Sequence, residues 1–225
     1  MSLVEIVQRS GLPQSSTYRL ASNLVETGML TFDAQSKTYA AGSRAHRLSL
    51  LLGGADRIEE LLEPALDSIA AAVEETSFFV LAAHGGPQLV RYKVPEIGAR
   101  TFVHPGFTYP LHATATGKVI AAFGDEDLRE LLANAPLEQF QPETLTDRRK
   151  LLALLTDIKA KGYAVNDGEL DRDVFSVAAP VFHRGHLAGA LGFVGPTSRV
   201  PAESAQQSIH RLLDEAARLS QLLAN

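Results

Sequence analysis

The chain has 225 residues, 45% of them hydrophobic, with no cysteine and a formal net charge of −5. That length suffices for two domains or one large one and the apolar share for a packed core, which excludes a disordered chain. The absence of cysteine excludes a disulfide framework and a thiolate metal site; no apolar run nears the ~20 residues needed to span a bilayer, and the N-terminus lacks the layout of a signal peptide, so a soluble cytoplasmic protein with no membrane partner is expected.

Ser2 with Glu5 three positions on has the pattern of a capping box, and Leu3, Ile6 and Val7 form an apolar stripe at helical spacing. Gly11 ends that helix, and Pro13 suits the first turn of the next, where a missing N–H costs nothing. Along this second helix Leu20, Ala21 and Leu24 are expected to face the core, with Gln14, Ser15, Ser16, Thr17, Tyr18 and Arg19 on the other side. Those side chains are short or flexible enough to approach base edges and phosphates from the start of a helix in the major groove. After Gly28, residues 29–32 and 37–40 flank the polar turn Asp33-Ala34-Gln35-Ser36 as a hairpin that carries Lys37. Two helices and a wing in this order read as a DNA-binding winged helix-turn-helix; the bland alternative is a soluble helical hairpin with an ordinary polar face. Charge divides in the same sense. Residues 1–54 hold five basic against three acidic residues, +2, leaving −7 on the remainder, which suits phosphate contacts confined to one end.

Ser43 to Leu52 reads as a short helix, broken by Gly53-Gly54. Ile58, Leu61, Leu62, Ala65, Leu66, Ile69, Ala72 and Val73 then follow a helical stripe, within which Pro64 kinks the helix or starts a new one. The domain boundary falls between Gly53 and Pro64, with Ile58 to Leu62 either a linker or a packing helix of the second domain. Residues 78–83 and 89–94 around Gly85-Gly86-Pro87 form a hairpin, 101–104 a short strand, 112–123 a helix and 125–134 another, capped by Asp125. Thr146 caps a third helix, with Leu151, Leu152, Leu155 and Ile158 inward, Lys159 and Lys161 near its end and Gly162 closing it. Residues 163–167, 176–182 and 187–194 are strands of one sheet, the last two joined tightly at Arg184-Gly185. A final helix, 201–223, turns Ile209, Leu212, Leu213, Ala216 and Ala217 inward. An antiparallel sheet covered by helices makes the second domain α+β.

The sequence carries no nucleophile elbow, no phosphate-binding glycine loop ending in Lys-Ser or Lys-Thr and no His-Glu-x-x-His, so neither an enzyme nor a cofactor is expected. Gly189, Gly192 and Gly195 recur within a strand, where they permit close packing or leave room for a ligand. His183 and His186 flank a turn at a metal-compatible spacing, but without a Cys or an obvious carboxylate beside them they read as surface residues and no metal site is expected. Lys118, after Gly117 and without a glycine cradle, reads as a solvated or salt-bridged helix residue.

The run GLPQSSTYRLASNLVETGML from Gly11 resembles the helix-turn-helix signature of the IclR family of bacterial transcriptional regulators. PLHATATGK from Pro110, GYAV from Gly162, VAAPV from Val177, and Gly195-Pro196 followed by Ser198-Arg199 are similar to further family motifs, in family order and spacing. The resemblance implies a winged helix-turn-helix over residues 1–42, a linker helix over 43–63 and a GAF-like effector-binding domain over 64–225. It implies a homodimer or homotetramer that binds double-stranded operator DNA through Gln14, Ser15, Ser16, Thr17, Tyr18, Arg19 and Lys37, with an affinity set by a small-molecule effector. Carried over position by position, the effector-facing residues are Ala115, Thr116, Asn166, Ser176, Gly192 and Val194, with His112 adding a polar edge. Family members that sense small keto acids place an acidic residue, a cysteine and two serines where this chain has Asn166, Ser176, Gly192 and Val194. Losing two hydroxyls to Gly192 and Val194 enlarges or greases the cavity, so a larger, partly apolar effector is expected, an aromatic acid or a sugar-acid catabolite held by Asn166, Ser176 and Thr116. The alternative is that Ser176 and Asn166 merely satisfy neighbouring backbone groups. In the family a further helix precedes the first one seen here, and its absence leads to the expectation of a loosened head; the rival function is then a ligand-binding or oligomerisation module that does not bind DNA.

Overall fold

The computed structural model describes residues 1–34, 36–42, 44–45, 48, 55–83, 86–95, 101, 110–125, 130, 132–200 and 206–224. The chain divides into two compact units, Met1–Ala55 and Asp56–Asn225.

In the first unit, helix α1 (Leu3–Ser10) opens with both halves of the capping box: Ser2 Oγ accepts the Glu5 N–H, and the Ser2 N–H donates to Glu5 Oε2 at 2.7 Å. Gly11 closes it at φ 67°, in the left-handed region that glycine enters without a Cβ penalty. Helix α2 (Gln14–Glu26) follows Pro13. Strands β1 (Leu30–Asp33) and β2 (Thr38–Ala41) pair antiparallel, with Lys37 at φ 52° in the turn. The wing is tied to the start of α1, since the Tyr39 N–H donates to the Met1 carbonyl at 2.7 Å. The apolar stripe of α2 is narrower than expected. Its buried face runs through Thr17 and Ala21, and Leu20 and Leu24 are 48% and 41% exposed. The short helix expected at Ser43 to Leu52 lies largely outside the described residues.

In the second unit, helix α3 (Ala55–Val73) runs unbroken through Pro64, which removes one donor and leaves the buried stripe Leu62, Ala65, Leu66 and Ile69 intact. Strands β3 (Thr76–Ala83), β4 (Gly86–Lys93), β5 (Ala164–Asp167), β6 (Val174–His183) and β7 (His186–Pro196) form one antiparallel sheet in the order β4-β3-β7-β6-β5. Arg184 and Gly185, at φ 50° and 81°, make the two-residue turn whose twist matches that of the strands it joins. One sheet face carries α3 and the last helix, α6 (Gln206–Ala224): Ser77 Oγ donates to the Leu66 carbonyl at 2.8 Å, and the Phe182 N–H to Ser220 Oγ at 3.0 Å. Helices α4 (Ala115–Phe123) and α5 (Arg148–Lys161) lie on the other side, where Val119, Ile120, Leu151, Leu155 and Ile158 join Phe78, Val80 and Ala178 in one core.

Local details depart from the sequence reading. Helix α4 begins at Ala115 rather than at 112, because Thr114 is its N-cap, accepting the Gly117 N–H. Asp147, not Thr146, caps α5, its carboxylate taking the N–H groups of Arg149 and Lys150. Leu152 is 58% exposed, since the buried positions of α5 are Leu151, Leu155 and Ile158. Ala217 is likewise exposed, one residue past the buried Leu212–Ala216–Leu219 line of α6. The strand expected at 101–104 lies outside the described residues beyond Thr101, as do residues 201–205 and part of 125–134.

These placements predict contrasting costs along one layer. Ile120→Ala, which empties fully buried volume, should destabilise the chain by ~2–5 kcal/mol in urea unfolding, whereas Leu152→Ala should cost less than ~1 kcal/mol.

Candidate functional site

Strand register assembles the centre of the site. Asn166 on β5 is the cross-strand partner of Ser176 on β6, and Ser176 is the partner of Val194 on β7. Three residues far apart in sequence thus form one row across three strands, neighbours at the ~5 Å strand spacing and on one face. The row borders a cavity of about 200 Å³. Phe78, Val80, Leu89, Val174 and Val194 give it apolar walls, while Thr101, Thr114, Thr116, Asn166, Asp171 and Ser176 supply polar atoms. Pro87 and Leu170 complete the lining.

Two buried hydroxyls among those lining this space are unspent. Thr116 and Ser176 are each more than nine-tenths buried, and neither side chain has a hydrogen-bond partner among the described residues. By contrast, Thr114 Oγ1 donates to the Pro110 carbonyl and accepts the Gly117 N–H. Thr116 stands in the first turn of α4, where backbone N–H groups lack intrahelical acceptors and the helix dipole favours negative charge. Asn166 Oδ1 accepts the Glu169 N–H at 3.0 Å, which leaves the amide NH2 as the group it offers the cavity. Thr116, Ser176 and Asn166 therefore offer donors to a largely apolar space whose lining also holds the Asp171 carboxylate.

The remaining expected residues lie elsewhere. His112 is buried with Nε2 on the Glu138 carbonyl at 2.8 Å and its ring 5.9 Å from that of Phe140, so it holds a loop instead of edging the cavity. Ala115 is fully buried in the α4 core. The space left by Gly192 is already taken: a Cβ there would lie 2.5 Å from the Val177 carbonyl oxygen and 2.6 Å from the Phe78 ring. Gly192 therefore does not enlarge the cavity, and the bulk next to it is Phe78. The sequence put Phe78, Val80 and Leu89 in strands without showing that they face the cavity, and Val174 lay outside the expected strand 176–182, which begins at Val174 in the structure.

A second hollow, about 230 Å³, lies between α4 and α5. Arg148 is spent on the carbonyls of Leu132 and Ala135 and Thr156 on that of Leu152, while Lys159 also lines the hollow.

Beside the first cavity sits a buried ion pair. The Lys118 ammonium, its side chain 2% exposed, binds Glu169 Oε1 on the loop between β5 and β6, and that glutamate is 14% exposed. Burial pushes Lys118 below the ordinary lysine range, with the Glu169 charge opposing. Among the described residues, no cluster of three or more His, Asp or Glu side chains gathers as a metal would require, and His183 Nδ1 lies on the Leu223 carbonyl.

In the first unit, Gln14, Ser15, Tyr18 and Arg19 are exposed along the start of α2, Ser16 is half-buried, and Lys37 is exposed on the wing. Thr17 departs from the expected set. It is buried, and its hydroxyl donates to the Pro13 carbonyl at 3.1 Å, so it stabilises the helix start from inside.

Comparison with known proteins agrees with this architecture. Residues 54–221 match the family model described as Bacterial transcriptional regulator IclR C-terminal, and residues 1–34 match the IclR helix-turn-helix domain. The HTH-type transcriptional regulator BhcR of Paracoccus denitrificans is 28% identical, over 97% of this chain and 78% of its own. The crystal structure of Thermotoga maritima IclR superposes with a TM-score of 0.69 at 25% identity, covering 100% of this chain and 92% of that one. An IclR homolog from Microbacterium hydrocarbonoxydans, complexed with 4-hydroxybenzoate, shares the fold with a TM-score of 0.68 at 22% identity, covering 99% and 91%. No described helix is long and apolar enough to cross a membrane.

The fit of Phe78 against Gly192 sets one wall of the cavity. Gly192→Ala should destabilise the domain by ~1–3 kcal/mol in urea unfolding, because backbone or ring must move to admit the methyl group.

Proposed function

The chain belongs to the IclR family of bacterial transcriptional regulators, and from that premise we propose that it binds operator DNA through α2 and the wing and releases or tightens that grip when a compact organic acid enters the cavity. The observation that carries the effector half is the pair of buried, unpartnered hydroxyls, Thr116 and Ser176, facing an apolar space beside a helix start. With no protein partner among the described residues, both hydroxyls are open to a ligand that enters the cavity. The carboxylate would lie toward the Thr116 end of α4 and the Asn166 amide, with the apolar remainder against Phe78, Val80 and Leu89. About 200 Å³ is below the ~300–1,000 Å³ of drug-sized sites, which favours an acid with a single ring. The relative solved with 4-hydroxybenzoate makes that molecule a rational first probe.

The DNA half is supported by the exposed row Gln14, Ser15, Tyr18 and Arg19 at the start of α2, with Ser16 and the wing's Lys37 beside it. Action as a homodimer or homotetramer in the cytoplasm would double or quadruple a short set of phosphate contacts. The reading of the chain as a ligand-binding module without DNA affinity makes the opposite forecast for the same assay.

Two measurements decide the proposal. In fluorescence anisotropy against the DNA upstream of its own gene, at 50 mM salt, the protein should bind, and Arg19→Ala or Gln14→Ala should weaken binding by ~1–3 kcal/mol, roughly 5- to 150-fold; equal affinity for unrelated duplex would sink the operator reading. In calorimetric titration with benzoate, 4-hydroxybenzoate, glyoxylate and pyruvate, the ring acids should bind, and Ser176→Ala should lose ~1.5–3 kcal/mol of that affinity. Heat confined to glyoxylate or pyruvate contradicts the assigned effector class.

A further inference from the structure

The β5–β6 loop, residues 168–173, contributes Leu170 and Asp171 to the cavity wall, and Leu170 is its one apolar side chain. Its ends are pinned by backbone bonds: the Gly168 N–H donates to the Val174 carbonyl at 3.0 Å, and the Val174 N–H to that of Asp171 at 3.1 Å. Gly168, at φ 70°, supplies the sharp entry. Its middle is pinned by Glu169 through three different partners, and the Thr197 N–H holds the Asp173 carbonyl at 2.9 Å. Glu169 Oε1 takes the Lys118 ammonium from α4, its N–H donates to Asn166 Oδ1, and its carbonyl accepts the Thr144 hydroxyl. Thr144 Oγ1 in turn accepts the N–H groups of Phe140 and Gln141, in the loop that His112 holds by the Glu138 carbonyl.

The pair is built poorly for stability. Glu169 Oε2 is buried and meets no hydrogen-bond donor among the described residues. A buried ion pair with an unsatisfied oxygen is commonly matched or bettered by apolar side chains of similar volume, so its value lies in the geometry it imposes. The geometry it imposes concerns the cavity directly: with Glu169 fixed, the Asn166 carbonyl oxygen is occupied and its NH2 is turned to the ligand, while Leu170 and Asp171 stay on the wall.

We propose that Lys118 and Glu169 form a latch that holds the 168–173 loop closed against the cavity and sets Asn166 as a hydrogen-bond donor, making them positioning residues that select ligands with an acceptor at that end. The importance of the selection rests on the cavity being the effector site; the latch itself does not.

The test is hydrogen–deuterium exchange on the full chain, without any ligand, comparing wild type with Glu169→Gln and with the double variant Lys118→Met/Glu169→Leu, which removes both charges and so keeps the domain folded. The segment 166–174 should exchange roughly tenfold faster in both variants, with the β6 and β7 amides near their wild-type rates and the urea midpoint of the double variant unchanged or higher. The side-chain amide resonance of Asn166 should shift in the same variants. Wild-type exchange of 166–174 in both variants overturns the latch, and so does acceleration that spreads equally through β6 and β7, the mark of a merely structural pair. Because no effector takes part, failure of every acid to bind in calorimetry leaves this result standing, and failure of the latch leaves the effector assignment standing.

Discussion

Strand β7 is the member of the sheet on which the others depend. It lies between β3 and β6, is buried along nearly its whole length, and pairs on both edges, so its register fixes which residues of its neighbours stand side by side. Its glycines make that position tenable. At Gly189 a Cβ would meet the Val80 carbonyl oxygen at 2.2 Å, and at Gly192 the space belongs to Phe78. Phe79 thus folds over Gly189 on one sheet face and Phe78 over Gly192 on the other, and the cavity is what remains between Phe78, the Asn166–Ser176–Val194 row and the start of α4.

The motif PLHATATGK acquires a separate physical task for nearly every polar member. His112 holds the 138–144 loop by the Glu138 carbonyl, Thr114 caps α4, Thr116 opens a hydroxyl to the cavity, and Lys118 reaches the buried carboxylate of Glu169. Gly117 is required by close approach, since a Cβ there would lie 2.5 Å from the Leu111 backbone. A single segment therefore joins the cavity-facing surface to two loops and to the core, and a change in how any one of these is held bears on the cavity wall.

The closing strand segment links the cavity row to the end of α3. Val194 borders the cavity, and a few residues on, Arg199 grips the buried Glu75 through a two-pronged ion pair just past the helix. A ligand that moves β7 by a fraction of an ångström has a stiff path to that helix. Whether the path carries regulation depends on differential binding between two arrangements of the protein, which is a free-energy difference and not a matter of distance.

Local rules written in the residues determined much of this protein. The Ser2–Glu5 capping box, the Gly11 and Gly162 helix ends, the Arg184-Gly185 turn, the alternating strands and the family motifs were all legible, because each depends on neighbours within a few positions. So were Thr116, Asn166, Ser176 and Val194 as cavity residues, by resemblance. Only tertiary structure decided which face of a stripe is covered and which polar group is already used. Leu20, Leu24, Leu152 and Ala217 fall just off a buried line, Thr17 spends its hydroxyl on its own helix, His112 turns to a loop, and Gly192 makes way for Phe78. Periodicity gives the angle of a side chain about its own axis, but burial and hydrogen bonding depend on what another segment, distant in sequence, places opposite it.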